Sequence, residues 1–116
     1  VSIKRLHTGP RMSEAVIANG MVFLAGQVAD DESLDITGQT RQVLAAIDTL
    51  LAEAGTDKSR LLTANIFLVD LADFAAMNAV WEAWVSPGNT PARATVQAKL
   101  ARPGWKIEIV ASAALP

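Results

Sequence analysis

A chain of 116 residues fits one domain, because two separate cores would each be too small to be stable. Its 10 basic residues face 12 acidic ones, which leaves no positive footprint for nucleic acid, and the absence of cysteine excludes disulfide frameworks and thiolate metal sites. No apolar run approaches the roughly 20 residues that span a bilayer, and the opening Val1-Ser2-Ile3-Lys4-Arg5-Leu6 lacks the apolar stretch of a signal peptide. The expectation is a cytoplasmic protein without nucleic-acid or membrane partners.

In chain order, residues 2–7 form a short β-prone opening. Ala15 to Ala18 and Met21 to Ala25 are apolar runs separated by Asn19-Gly20, a pair that readily takes positive φ at both positions. That predicts a two-residue type I′ hairpin. Ala29 to Leu34 is acidic and polar, and reads as a loop. Asp35 or Thr37 can cap a helix running to about Ala54 and stopping at Gly55. Along it Val43, Leu44, Ile47, Leu50, Leu51 and Ala54 follow the 3.6-residue period, giving one buried stripe. Leu61 to Val69 is a strand. Asp70 caps a second helix, of about Leu71 to Val85, which ends at Ser86-Pro87-Gly88-Asn89. Pro91 to Leu100 and Trp105 to Ala114 are the last strands, broken by Arg102-Pro103-Gly104.

The order βββαβαββ is that of an α+β domain with two helices on one sheet. Two helices cover only one face. Met21-Val22-Phe23-Leu24-Ala25 is apolar at both parities, so both of its faces call for burial. The simplest cover for the second face is another copy of the chain, in a closed homo-oligomer.

In the strand from Pro91, Arg93, Thr95, Gln97 and Lys99 point one way, and Ala94, Val96, Ala98 and Leu100 the other. In the last strand Lys106, Glu108 and Ser112 share a face. On spacing alone these are solvated sheet faces with charged rims. Pro91-Ala92-Arg93-Ala94-Thr95-Val96, then Lys99 and Ala101, then Ile107-Glu108-Ile109, resembles the C-terminal signature of the Rid/YjgF family, including the interval from arginine to glutamate. Gly9-Pro10, Gly26-Gln27 and Asp73-Phe74-Ala75-Ala76-Met77-Asn78 are similar to landmarks of the same family. Arg11-Met12-Ser13 and Phe74 to Val85 look closer to its YoaB-like branch.

The resemblance implies a chorismate-mutase-like fold and a homotrimer with clefts between subunits. It implies hydrolysis of 2-aminoacrylate and related enamines, through their imines, to a 2-oxo acid and ammonia. Arg93 takes the place of the substrate-anchoring arginine and Glu108 that of the water-handling glutamate. Asn78 and Gly26 take the places of an asparagine on the second helix and of a Gly-Gln corner. The chemistry fits these residue types. A planar guanidinium holds a carboxylate by two parallel hydrogen bonds. That fixes the imine carbon against a water which a carboxylate can orient and deprotonate. No metal and no organic cofactor is called for, because an imine is already electrophilic.

Several departures from the family pattern bear on substrate range. Ala25 precedes Gly26 where the family carries a serine, so a hydroxyl beside the substrate carboxylate is missing. Arg11 follows Gly9-Pro10 in place of a tyrosine; it is either a second cation in the cleft or a surface arginine near a turn. Thr95 replaces a cysteine and belongs with the substrate-binding set. The segment before Gly26 is one residue longer, and the loop before Pro91 is short. The remaining candidates have plainer readings. His7, the only histidine, is a surface or edge-strand residue. Trp81 and Trp84 are core or interface. Asn78 is either a hydrogen-bonded core amide or a site residue. Asp30, Asp31 and Glu32 form a solvated loop. A plain hairpin of the last two strands would pair Gln97 with Glu108 and set Arg93 about 13 Å further along. Either Arg93 and Glu108 then do not cooperate, or the two strands are not hairpin partners. The resemblance implies the second, because the family's last strand inserts between earlier strands of the sheet, and each pocket is then expected to be completed by a neighbouring subunit.

Overall fold

The computed structural model describes residues 1–116. Six strands form one mixed sheet: β1 (Ile3–Leu6), β2 (Ala15–Ala18), β3 (Met21–Leu24), β4 (Leu61–Leu68), β5 (Ala92–Gln97) and β6 (Ile107–Ala114). Two helices, α1 (Ile36–Ala54) and α2 (Phe74–Trp84), complete the expected βββαβαββ order. The β2–β3 turn has Asn19 at φ 52° and Gly20 at φ 74°, the left-handed pair that a type I′ turn requires.

Of the two N-cap candidates for α1, Asp35 is the one used. Its Oδ1 accepts from the Gly38 N–H at 2.9 Å, an interaction whose loss costs about 1 kcal/mol. Gly55 closes the helix in the left-handed conformation. Asp70 also caps, but it caps a single 3-10 turn, Leu71–Asp73, that leads into α2. The second helix thus begins at Phe74, three residues later than a cap at Asp70 predicts. Gln39, an unremarkable residue in the sequence, is fully buried. Its Nε2 donates to the carbonyls of Glu32, Leu34 and Gly104, and its Oε1 accepts from Lys106 N–H at 2.9 Å. These bonds tie the start of α1 to the segment that leads into β6.

The sheet order is β1-β2-β3-β6-β4-β5. The last strand is therefore inserted between β3 and β4, antiparallel to both, and β5 lies at the far edge, parallel to β4. β5 and β6 do not pair, as the family resemblance implied. One sheet face is covered: Val22, Leu24, Ala64, Ile66, Leu68, Ile107, Ile109, Ala111 and Ala113 pack against Val43, Leu44, Ile47, Leu51, Met77 and Trp81 of the helices. Each fully buried Leu, Ile or Val contributes about 1.5–3 kcal/mol. The other face has no helix. Phe23 on β3 is 47% exposed there, and Val96 on β5 likewise 47%.

Candidate functional site

Register places the candidate residues on opposite faces of the sheet. Arg93 lies beside Ala64 on β4, and Glu108 lies beside Phe67 on the other edge of the same strand. Positions 64 and 67 differ in parity, so their side chains leave opposite faces. Two strand spacings across and three residues along separate the Cα atoms by roughly 14 Å. Within one protomer Arg93 and Glu108 do not meet.

Arg93 belongs to the helix-covered face, a correction to its reading as part of a solvated one. β5 is the edge strand, and α2 ends its cover there, so the face is lined by helix side chains while the guanidinium stays exposed. Arg93 Nη1 donates to Asn78 Oδ1 at 2.8 Å. Its Cζ stands 5.4 Å from the centroid of the Trp81 ring and 6.0 Å from that of Phe74. Asn78 is thus half-buried and engaged with Arg93. Thr95, beside Ile66, shares this face, and its Oγ1 is buried without a hydrogen-bond partner. A hydroxyl left so costs about 1–3 kcal/mol. Gln97 Oε1, two residues on, accepts from Leu71 N–H at 3.2 Å and holds the turn that starts α2.

Glu108 lies on the open face, half-buried, and neither of the protomer's two ion pairs, His7–Glu53 and Arg102–Glu32, involves it. Gly26 is beside it because Gln27 and Ile109 exchange backbone hydrogen bonds, Gln27 N–H to Ile109 O at 2.9 Å and Ile109 N–H to Gln27 O at 3.1 Å. A Cβ on Gly26 would collide with the Glu108 carboxylate, so only glycine lets the acid lie against the backbone. The adjacent Gln27 is buried and donates to Glu14 Oε2 at 2.9 Å and to the Ala25 carbonyl at 3.0 Å. Gly26→Ala is expected to leave the fold intact but turn the flexible carboxylate aside. Any turnover that depends on Glu108 should fall about 10²-fold, as for a misplacement of about 1 Å. Equal rates for Gly26→Ala and the native protein would show that the contact is only packing.

The other candidates fall elsewhere. Arg11 lies exposed in the loop between β1 and β2 and makes no hydrogen bond or ion pair in the protomer. His7 is an exposed residue at the end of β1, at φ 52°, with Nε2 at 2.5 Å from Glu53 of α1. Asp31 accepts from the Ser33 side chain and backbone, which lower its pKa, and Glu32 pairs with Arg102 at 3.3 Å. Trp81 is expected from the sequence to be core or interface, and Phe74 lies on one helical face with it. Trp81 is indeed buried, but both rings also flank the candidate arginine. Their i, i+4, i+7 spacing with Asn78 was the available signal.

Residues 2–115 match the family described as Endoribonuclease L-PSP. The chain is 50% identical to a RutC family protein of Haemophilus ducreyi over 97% of both chains. It is 44% identical to the RutC family protein YoaB of Escherichia coli over 99% of this chain and 100% of that one. A solved member of the YjgF protein family from Neisseria meningitidis superposes with a TM-score of 0.97 at 50% identity, covering 99% of this chain and 96% of the other. The C-terminal signature and the YoaB-like stretches therefore pointed correctly, and the chain belongs to the Rid/YjgF (RutC, L-PSP) family.

Proposed function

We propose that this protein hydrolyses reactive enamine and imine intermediates, of the 2-aminoacrylate and 2-iminopropionate type, to 2-oxo acids and ammonia. The reaction would take place in the cytoplasm, in clefts between the subunits of a homotrimer. The observation that carries the reading is the state of Arg93: the side chain is exposed, its one hydrogen bond runs from Nη1 to Asn78, and Nε and Nη2 have no protein partner. The Nε–Nη2 edge can take the carboxylate of a 2-imino acid by two parallel charge-assisted bonds. The Thr95 hydroxyl on the same face is unpartnered but buried within the protomer, so it would reach an anionic ligand only after its side chain turns outward.

The attacking water needs a base, and Glu108 faces away from Arg93 in the same protomer. A copy of the chain that covers the open face of the sheet brings its own edge strand to the boundary. A pocket can then combine Arg93, Thr95 and Asn78 of one subunit with Glu108 and Gly26 of the next. Glu108 would take a proton from water as its oxygen bonds to the imine carbon. That proton is then delivered to the nitrogen, giving the carbinolamine. Glu108 would next take the hydroxyl proton and pass it to the amine as the C–N bond breaks, so that ammonia leaves and the carbonyl of the 2-oxo acid forms. A backbone N–H at the Gly26 corner would donate to charge that develops beside Glu108. Exposed Phe23 and Val96 on the uncovered face support the assembly. Sedimentation at micromolar concentration should give a trimer, and a mass of one 12.3 kDa chain would remove the shared pocket from consideration.

The decisive experiment generates 2-aminoacrylate with a serine dehydratase and measures whether this protein accelerates pyruvate release. Ala25, which brings no hydroxyl to the Gly26 corner, favours a second reading, a trimer that only binds carboxylate metabolites. Titration with 2-oxobutyrate separates the two, since saturable binding without acceleration would establish the binder. The family description carries the word endoribonuclease, but a chain of net charge −2 whose single histidine is bonded to Glu53 offers neither a basic groove nor an acid–base histidine pair.

A further inference from the structure

Arg93 carries five N–H donors on a long side chain, and at the exposed edge of a sheet such a side chain samples many rotamers. Here it does not stand alone. One face of α2 presents Phe74, Asn78 and Trp81 toward it. Asn78 Oδ1 takes one Nη1 hydrogen at 2.8 Å, and the Trp81 ring lies 5.4 Å from Cζ. Trp81 is itself 5% exposed and leans on Trp84, whose Nε1 donates to Asp48 of α1 at 2.8 Å. The support under the guanidinium is therefore anchored through the helix pair, not by a mobile surface residue.

We infer that Asn78 and Trp81 are positioning residues, which hold the Arg93 guanidinium so that its Nε–Nη2 edge faces the ligand before the ligand arrives. The inference deepens the proposed function and rests on it for the identity of the ligand. The amide sets the rotation of the guanidinium, because its oxygen can satisfy only the hydrogen that points toward α2. The indole limits its tilt, since a cation is attracted to the ring face. A fork ordered in advance loses less freedom on binding than a free one, so affinity rises without a new contact to the ligand. Asn78 then acts through Arg93 and not by touching the substrate.

Two measurements test this on the intact protein. Arginine side-chain NMR of the ligand-free form should show the Arg93 Nε–H as ordered, with the signal assigned by its loss in Arg93→Lys. Asn78→Ala and Trp81→Leu should each make it mobile, while Trp81→Phe, which keeps a ring face, should retain much of the order. Unchanged order in Asn78→Ala would overturn the inference even if the Trp81 variants do not fold. The second measurement is the dissociation constant for 2-oxobutyrate. Asn78→Ala should weaken it about tenfold in the native background and less than about twofold in an Arg93→Lys background, because coupled residues do not add. Equal losses in both backgrounds would make Asn78 a direct ligand contact. If the native protein binds no 2-oxo acid, the proposed function falls, and the NMR result alone decides whether α2 orders the arginine.

Discussion

Replacing Arg93 with alanine is expected to lower kcat/KM for imine hydrolysis by roughly 10²–10⁴-fold while the protein stays folded. The size follows from the two charge-assisted bonds lost. Each is worth about 1.5–3 kcal/mol, and about 1.4 kcal/mol is a factor of ten. Stability should change little, because the side chain is exposed and its one hydrogen bond is to the half-buried Asn78. Surface truncations of this kind shift stability by about 0.5 kcal/mol. Arg93→Lys should recover only a small part of the activity, since a point charge cannot reproduce a planar fork. Full activity in either variant, measured in the coupled pyruvate assay, would contradict the anchoring role.

Glu108→Gln should separate binding from turnover. Glutamine has nearly the same shape as glutamate and fits the space that Gly26 leaves open, so 2-oxobutyrate should still bind. Without a proton acceptor, kcat should fall roughly 10²–10⁴-fold, the usual contribution of a general base. A variant that turns over at the native rate would show that other groups position the water. Comparison with Gly26→Ala adds a check. That change keeps the carboxylate and moves it, so its defect should be smaller than that of Glu108→Gln.

Periodicity and punctuation made the elements legible. Asn19-Gly20, Asp35 and Gly55 mark three boundaries by the backbone conformations or caps they supply, and the stripe from Val43 to Ala54 identified the buried side of α1. Asp70 misled by three residues, because a capping aspartate serves a 3-10 turn as well as an α-helix. Alternation in β5 separated two faces correctly but not which one is covered. Arg93, Thr95 and Gln97 read as solvent-facing, yet they lie on the helix side, where an edge position lets polar groups bond to α2 and to the turn before it. Nor did alternation within each strand report that Arg93 and Glu108 leave opposite faces of the sheet. The strand between them, β4, comes from earlier in the chain, and no local signal in residues 91–114 reports it. Gln39 was invisible for the same reason, since its carbonyl partner at Gly104 is distant in sequence.

The insertion of β6 divides the sheet into two halves with different histories. β1, β2 and β3 form a meander of near neighbours, whereas β4, α2 and β5 form a parallel crossover unit, and the two halves share no strand pairing except through β6. The strand that forms the seam follows all the others along the chain. Its partner at Ser112 is Phe23, and closing a loop of roughly 90 residues costs about 4 kcal/mol before any contact returns it. Until that closure, β3 and β4 each present an unpaired backbone edge. A ribosome-bound or C-terminally clipped chain would hold two sticky fragments, the state that strand-swapping and aggregation exploit. Glu108 sits on that seam, so the carboxylate proposed to activate water comes into place only with the strand that makes the two halves one sheet.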